Sequence, residues 1–237
     1  MTQSRRGPRS ALGPTLTTIA VVLVLIGLGI WQLDRRTWKL DLIETRKARI
    51  AADAVELPRA PDLKTMEYRR VTLRGRFLHD REMYLSGRSW AGRLGYHVIT
   101  PLVLSDGGAV LVNRGWIPLD RRDPARRAAG QIAGELYLTG HLRAQPPKGP
   151  FSPNNDPAKN FWFQIDIPAM ATYAKLASVR PFIVQASSPA PPGGFPRPVP
   201  VRIDLPNDHL KYALTWFALA IAFAVIYGIW MRRRPRS

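Results

Sequence analysis

The stretch PNDHLKYALTWFALA, residues 206–220, places an imidazole and an ammonium group at the mouth of an apolar run. In a helix, at about 100° per residue, Ala213, Trp216 and Ala220 fall within about 40° of His209, and Ala224 and Gly228 drift gradually off that stripe. Small side chains at four-residue spacing let membrane helices approach closely, so this face suits a partner helix or a flat ligand. Ala20, Gly27 and Trp31 form a comparable stripe on a second apolar run. Neutral imidazole is a common ligand of haem iron, and Arg35, Arg36 and Lys211 would lie at about the depth of His209, where cations can pair with propionates. Trp31 and Trp216 would shape such a pocket. The plainer reading is that Asn207 or Asp208 caps the helix and His209 sits in its first, wet turn. Residue chemistry leaves both readings open.

Other chemistry is sparse. His79, His97 and His141 sit in or beside predicted strands, too scattered for a metal cluster to be argued from spacing, and read as structural or surface histidines. NRGWIP, residues 113–118, puts Arg114 and Trp116 on one strand face with Gly115 between them permitting close backbone approach. That element is either a hairpin end with a packed tryptophan or a weak partner-binding patch. With no cysteine there is no disulfide, thiolate metal site or cysteine nucleophile. G-x-S-x-G, H-E-x-x-H, a Walker loop and the dinucleotide glycine fingerprint are all missing, so no catalytic residue is assigned and an enzyme is not supported.

The elements that must position these residues begin with two apolar runs. Residues 15–33 and 212–231 contain no charged side chain. Roughly 20 residues at about 1.5 Å rise cross a hydrocarbon core of about 30 Å, so each run predicts a transmembrane helix. Trp31, Trp38, Tyr212 and Trp216 would mark one membrane interface, and Tyr227 and Trp230 the other. A cleaved signal peptide is the alternative for the first run. It lacks a convincing small-x-small cleavage site and is long for a signal core, which favours a retained anchor.

A formal charge of +18 suggests nucleic acid at first sight. Its distribution argues otherwise: every Asp and Glu lies between Asp34 and Asp208, and both tails are purely basic, with Arg5, Arg6 and Arg9 before the first run and Arg232, Arg233, Arg234 and Arg236 after the second. Such flanks suit lipid headgroups, and they place both tails in the cytoplasm and residues 34–209 outside. Arg35, Arg36 and Lys39 also border the first span on its outer side, which weakens the charge asymmetry.

The predicted order is a basic tail (1–14), a first span (15–33), a juxtamembrane helical segment (34–66), a β-rich domain (67–188), a Pro-rich tether (189–206), a second span (207–231) and a basic tail (232–237). VTLRGRF alternates with the two-residue period of a half-buried strand, and LYLTGHL repeats it residue for residue, glycine included. MYLSGR, YHVITPLVL and GAVLVNRGWIPL are further strands, the last two joined by the turn SDGG, and IPAMATYAKLA is a short helix. The expected fold class is an α+β membrane protein, two transmembrane helices flanking a mainly antiparallel, curled or barrel-like β domain. Glycines within its strands are compatible with bulges that bend the sheet.

GLGIWQLDRRTWK, YRRVTLRGRF, GYHVITPL, VLVNRGWIP, TGHLR and NDHLKYALTWFALA together resemble the Surfeit locus protein 1 family, assembly factors of haem-copper cytochrome c oxidase, in the family's order across nearly the whole chain. The resemblance implies a bacterial inner-membrane protein whose central domain is periplasmic. It implies a non-enzymatic role: receiving haem a from haem a synthase and presenting it to the oxidase catalytic subunit. It also implies that His209 is the haem-iron ligand, and it matches Arg114, Gly115 and Trp116 to a family element without a chemical role. Asp208 stands where Asn is expected in many relatives, adding a negative charge beside His209. A cofactor-free membrane scaffold that holds an oxidase subunit during assembly is the alternative function.

Overall fold

The computed structural model describes residues 12–203 and 205–233. Arg5, Arg6, Arg9, Arg234 and Arg236 lie outside the described residues. The chain divides into two compact units, residues 1–45 with 204–237, and Arg46–Ile203.

The first unit is a pair of helices, α1 (Leu12–Ala51, 40 residues) and α4 (His209–Arg232, 24 residues), each containing a segment long and apolar enough to cross a membrane. Helix is the form that satisfies every backbone group of such a segment internally. Helix α1 does not stop where its apolar run stops. From Ile30 to Ala51 no Gly or Pro interrupts it, and Leu, Arg, Lys and Glu sustain it, so the span and residues 34–51 of the juxtamembrane segment are one continuous helix.

The two helices run antiparallel. The hydroxyls of Thr15 and Tyr227 share a hydrogen bond towards one end of the pair, and His209 bonds Gln32 at the other. Between these contacts the less exposed positions of α1 include Thr15, Thr18, Val22, Leu25, Gly29 and Gln32, the alternating three- and four-residue steps of a coiled-coil seam. On α4 the face of His209, Ala213, Trp216 and Ala220 meets it, with Ala213 and Ala220 buried. The stripe of small residues on α4 therefore serves helix contact. The stripe expected on α1 is a different face: Ala20 and Gly27 are exposed and Trp31 is 49% exposed. Gly29 is buried instead, because the ring of Phe217 lies where its side chain would be.

The second unit is built on β2 (Arg70–Phe77), β3 (Met83–Trp90), β4 (Arg93–Leu104), β5 (Ala109–Pro118), β6 (Glu135–Ala144) and β8 (Val179–Ser188), with two-residue strands β1 (Val55–Glu56) and β7 (Phe161–Trp162) and the one-turn helix α2 (Leu63–Met66). Strands β2, β6, β8, β5 and β4 are neighbours in that order, and β4 returns to β2 through Gly75 to Phe77 against Leu104 to Leu102. This closes a five-stranded barrel. All its pairings are antiparallel except β5 with β8. The β4–β5 hairpin turns at SDGG, where the Leu104 N–H donates to the Gly108 carbonyl at 3.0 Å. Strand β8 was not anticipated. Its Phe182, Ile183 and Val184 form a continuous apolar run whose sides both meet protein, so it shows no alternation to read.

The barrel is filled by Val71, Leu73, Phe77, Leu102, Val110, Val112, Leu138, Leu142, Phe182 and Val184. Leu111 and Ile183 point the other way, into a second core with Met83, Ile99 and Trp162 that helix α3 (Ile167–Tyr173) covers with Ile167 and Met170. The matching segments VTLRGRF and LYLTGHL prove to be β2 and β6, paired with each other. Their glycines stand where the sheet folds over itself. A side chain at Gly75 would strike the Val103 carbonyl oxygen of β4, and one at Gly140 would strike Val184 and the Gln185 carbonyl of β8. Gly75→Val should therefore cost on the order of 2 kcal/mol or more and lower the Tm of the full-length protein by about 4–8 °C. Gly27→Ala, where nothing lies within 4 Å, is the control and should leave the barrel's melting transition in place.

Candidate functional site

At the first residue of α4, the Nδ1 atom of His209 lies 2.7 Å from the Oε1 atom of Gln32. The ring is half-buried, and among the described residues its Nε2 atom meets no hydrogen-bond partner. Arg35 and Arg36 follow Gln32 by three and four positions, so they occupy the next turn of α1. Arg36 is half-buried. Arg35 is exposed, with its guanidinium 5.8 Å from the Trp31 ring centroid and 5.5 Å from that of Trp38. Trp216 is half-buried on the His209 face of α4, whereas Trp31 points out of the seam and stacks on Arg35.

Asp208 occupies the N-cap position of α4 but makes no side-chain cap bond. Its carboxylate accepts from Lys211 Nζ at 2.7 Å. The negative charge beside His209 is thus tied to the next turn of its own helix, which also occupies one of the three expected cations. The donor set fits a metalloporphyrin: a ring nitrogen with no partner among the described residues and two guanidinium groups on the adjoining turn. Gln32 gave one signal in the sequence, being the lone amide side chain of its apolar run.

The second set of candidates lies in the other unit. Arg114 and Trp116 of β5 are 4% and 3% exposed. Trp116 touches this chain's own tether. Trp116 N–H donates to the Arg197 carbonyl at 2.7 Å, Arg197 N–H returns to the Trp116 carbonyl at 2.8 Å, and Phe195 lies 6.4 Å from the Trp116 ring. Gly115 has φ +123°, a backbone conformation side chains rarely adopt, and the Arg197 carbonyl packs against its Cα. The glycine between arginine and tryptophan lets the tether lie flat on the barrel.

Arg114 reaches inward to Glu82, which no motif had singled out. Its Nη1 donates to Glu82 Oε1 at 2.8 Å, Arg127 Nη2 donates to Glu82 Oε2 at 2.5 Å, and Arg114 Nη2 donates to the Gly130 carbonyl. His79 Nε2 lies 2.9 Å from the Ile132 carbonyl, and its Nδ1 lies 3.2 Å from Arg114 Nη1 and 3.6 Å from Glu82 Oε1. Burial pushes the Glu82 carboxyl up, but the His79 ring and the Arg127 and Arg114 guanidinium groups outweigh it and hold it at about 2. His97, paired with Asn113 at 3.3 Å, is pushed down to about 4 by burial and by the charge of Arg88. His141 is 8% exposed in β6 and is lowered by burial as well. These three histidines belong to the packing of the barrel.

Both large shifts act in the same direction. The unfolded chain takes up protons at His97 below the ordinary 6.5 and at Glu82 below the ordinary 4.5, whereas the folded chain resists until about 4 and about 2. Stability should fall as pH drops from 6.5 to 4, and again from 4.5 towards 2, each step being on the order of 3 kcal/mol. Acid unfolding of the full-length protein followed by tryptophan fluorescence checks this: His97→Gln should delay the onset, and Glu82→Gln should unfold the barrel already at neutral pH or lower its Tm sharply.

A family model described as the SURF1 family matches residues 19–221. The chain is 38% identical to Surfeit locus protein 1 of Mus musculus over 226 residues, covering 88% of this chain and 73% of that protein. It is 38% identical to the SURF1-like protein of Monosiga brevicollis over 229 residues, covering 91% and 86%. To Surfeit locus protein 1 of Homo sapiens it is 35% identical over 226 residues, covering 88% and 74%.

Proposed function

Because the chain belongs to the SURF1 family, we propose that it is an assembly factor for haem-copper cytochrome c oxidase that holds haem a on the His209 face of its helix pair. The observation that carries the reading is the His209 ring, fixed at Nδ1 by Gln32 with Nε2 unpartnered among the described residues, beside the turn that bears Arg35 and Arg36. When bound, haem a would supply an iron centre that takes a nitrogen ligand, and two propionate carboxylates. His209 Nε2 would hold the iron. Arg35 and Arg36 are the cations available to the propionates, Arg35 already braced by two tryptophan rings, and Lys211 would join them by leaving Asp208. Trp216 flanks His209 on its own face, and Trp31 offers an aromatic surface on the outer side of α1.

In this reading the partners are haem a synthase as donor and the oxidase catalytic subunit as acceptor, with lipid around the two spans. The compartment is a bacterial inner membrane, both termini are cytoplasmic and the barrel is periplasmic. Gly115 and Trp116 contribute by clasping the tether that leads to α4 at residues 195–198, and Arg114 holds the Gly130 carbonyl and Glu82 beneath them. The competing reading, a cofactor-free scaffold, is favoured by the exposed Leu94 (65%) and Phe151 (96%) on the barrel unit.

Purification of the full-length protein from cells that make haem a distinguishes the two. The expected result is a haem a absorbance band that His209→Ala abolishes and Arg35→Ala with Arg36→Ala weakens. A band of full intensity in the His209→Ala protein rejects His209 as ligand, and a haem-free wild-type protein that still captures the catalytic subunit supports the scaffold.

A further inference from the structure

We propose that Gln32 is a positioning residue that sets the tautomer of His209, keeping its proton on Nδ1 and the lone pair on Nε2. The haem-binding consequence rests on the function proposed above; the tautomer itself does not.

A neutral imidazole carries one N–H, and which nitrogen bears it depends on the partner of the other. Gln32 Oε1 lies 2.7 Å from Nδ1, and a carbonyl oxygen only accepts, so the proton is on Nδ1. Metal-binding histidines almost always donate their second ring N–H to an oxygen of this kind, which orients the ring and raises the basicity of the ligating nitrogen. Gln32 is itself held: it sits on the seam one turn after Gly29, whose contact with Phe217 brings the two helices close at this level. Of the charged groups at this end of the pair, Lys211 is bonded to Asp208 and Arg35 is stacked on Trp31 and Trp38. An amide rather than a carboxylate at position 32 accepts the hydrogen bond without adding a charge to the seam.

Only four histidines are present, so their ring nitrogens can be resolved after labelling with nitrogen-15 histidine. The full-length, haem-free protein is placed in lipid nanodiscs, and the His209 signals are identified by their loss in His209→Ala. In the wild type, Nδ1 should be protonated and Nε2 should show the shift of an unprotonated nitrogen. Gln32→Leu should move the proton to Nε2, and Gln32→Glu, which keeps an acceptor oxygen, should leave it on Nδ1. A wild-type proton on Nε2, as the opposite orientation of the Gln32 amide would give, overturns the proposal. So does a tautomer unchanged in Gln32→Leu. In protein purified with haem a, Gln32→Leu should bind about 10-fold more weakly and Gln32→Glu should be restored towards wild type. A wild type with the Nδ1 proton but no haem sinks the haem reading and leaves the tautomer assignment standing.

Discussion

The barrel turns on one carboxylate shared by two guanidinium groups. Glu82 precedes β3 and is 4% exposed, Arg114 comes from β5, and Arg127 comes from the turn after it. Three segments distant in sequence are tied at one dry point, where an unpaired charge would cost several kcal/mol. The same interaction reaches further through Arg114, which also holds the Gly130 carbonyl and lies over the Phe77 ring at 4.8 Å. Gly130 in turn packs against the Phe195 carbonyl of the tether. Residues that would make a poor surface patch make a sound internal clasp, which accounts for an arginine, a glycine and a tryptophan in succession.

What the sequence disclosed followed from how regular each signal was. Strands β2 to β5 and the SDGG hairpin were legible because one side of each strand, or its turn chemistry, broke the apolar pattern. The two spans were legible by length alone. Strand β8 was not, since Phe182 to Val184 are buried on both sides and Pro181 blurs the strand's beginning. The parallel pairing of β5 with β8 depends on a crossover connection of 60 residues, 119–178, which no local rule contains. At the His209 site, the face of α4 could be computed from helical spacing, but the face of α1 could not. Ala20, Gly27 and Trp31 have the right residue types, and only the position of Phe217 decides that Gly29 and Gln32 are the ones that face it. Glu82 and Arg127 carried no motif, because an ion pair is defined by proximity in space.

The helix pair has a fixed register for a related reason. An apolar seam by itself tolerates a slip of one turn at modest cost, since lipid and side chains are equally apolar. Polar contacts near the two ends, Thr15 with Tyr227 and Gln32 with His209, are satisfied together in one alignment only. They lie about 25 Å apart along α1, close to the thickness of a hydrocarbon core. The polar contacts thus act as stops at the margins of a seam whose middle is made of small and aliphatic side chains.

The place of β8 also orders the life of the chain before it is folded. It lies between β5 and β6, so the ring of strands stays open until residue 188 has left the ribosome. Until then β5 and β6 each expose an edge that other chains could join. The first span is made long before this and can already anchor the nascent chain, whereas the second is made directly after. Closure of the barrel and delivery of α4 to the membrane are therefore nearly simultaneous events of synthesis, and the unfinished sheet is the form most exposed to misassembly.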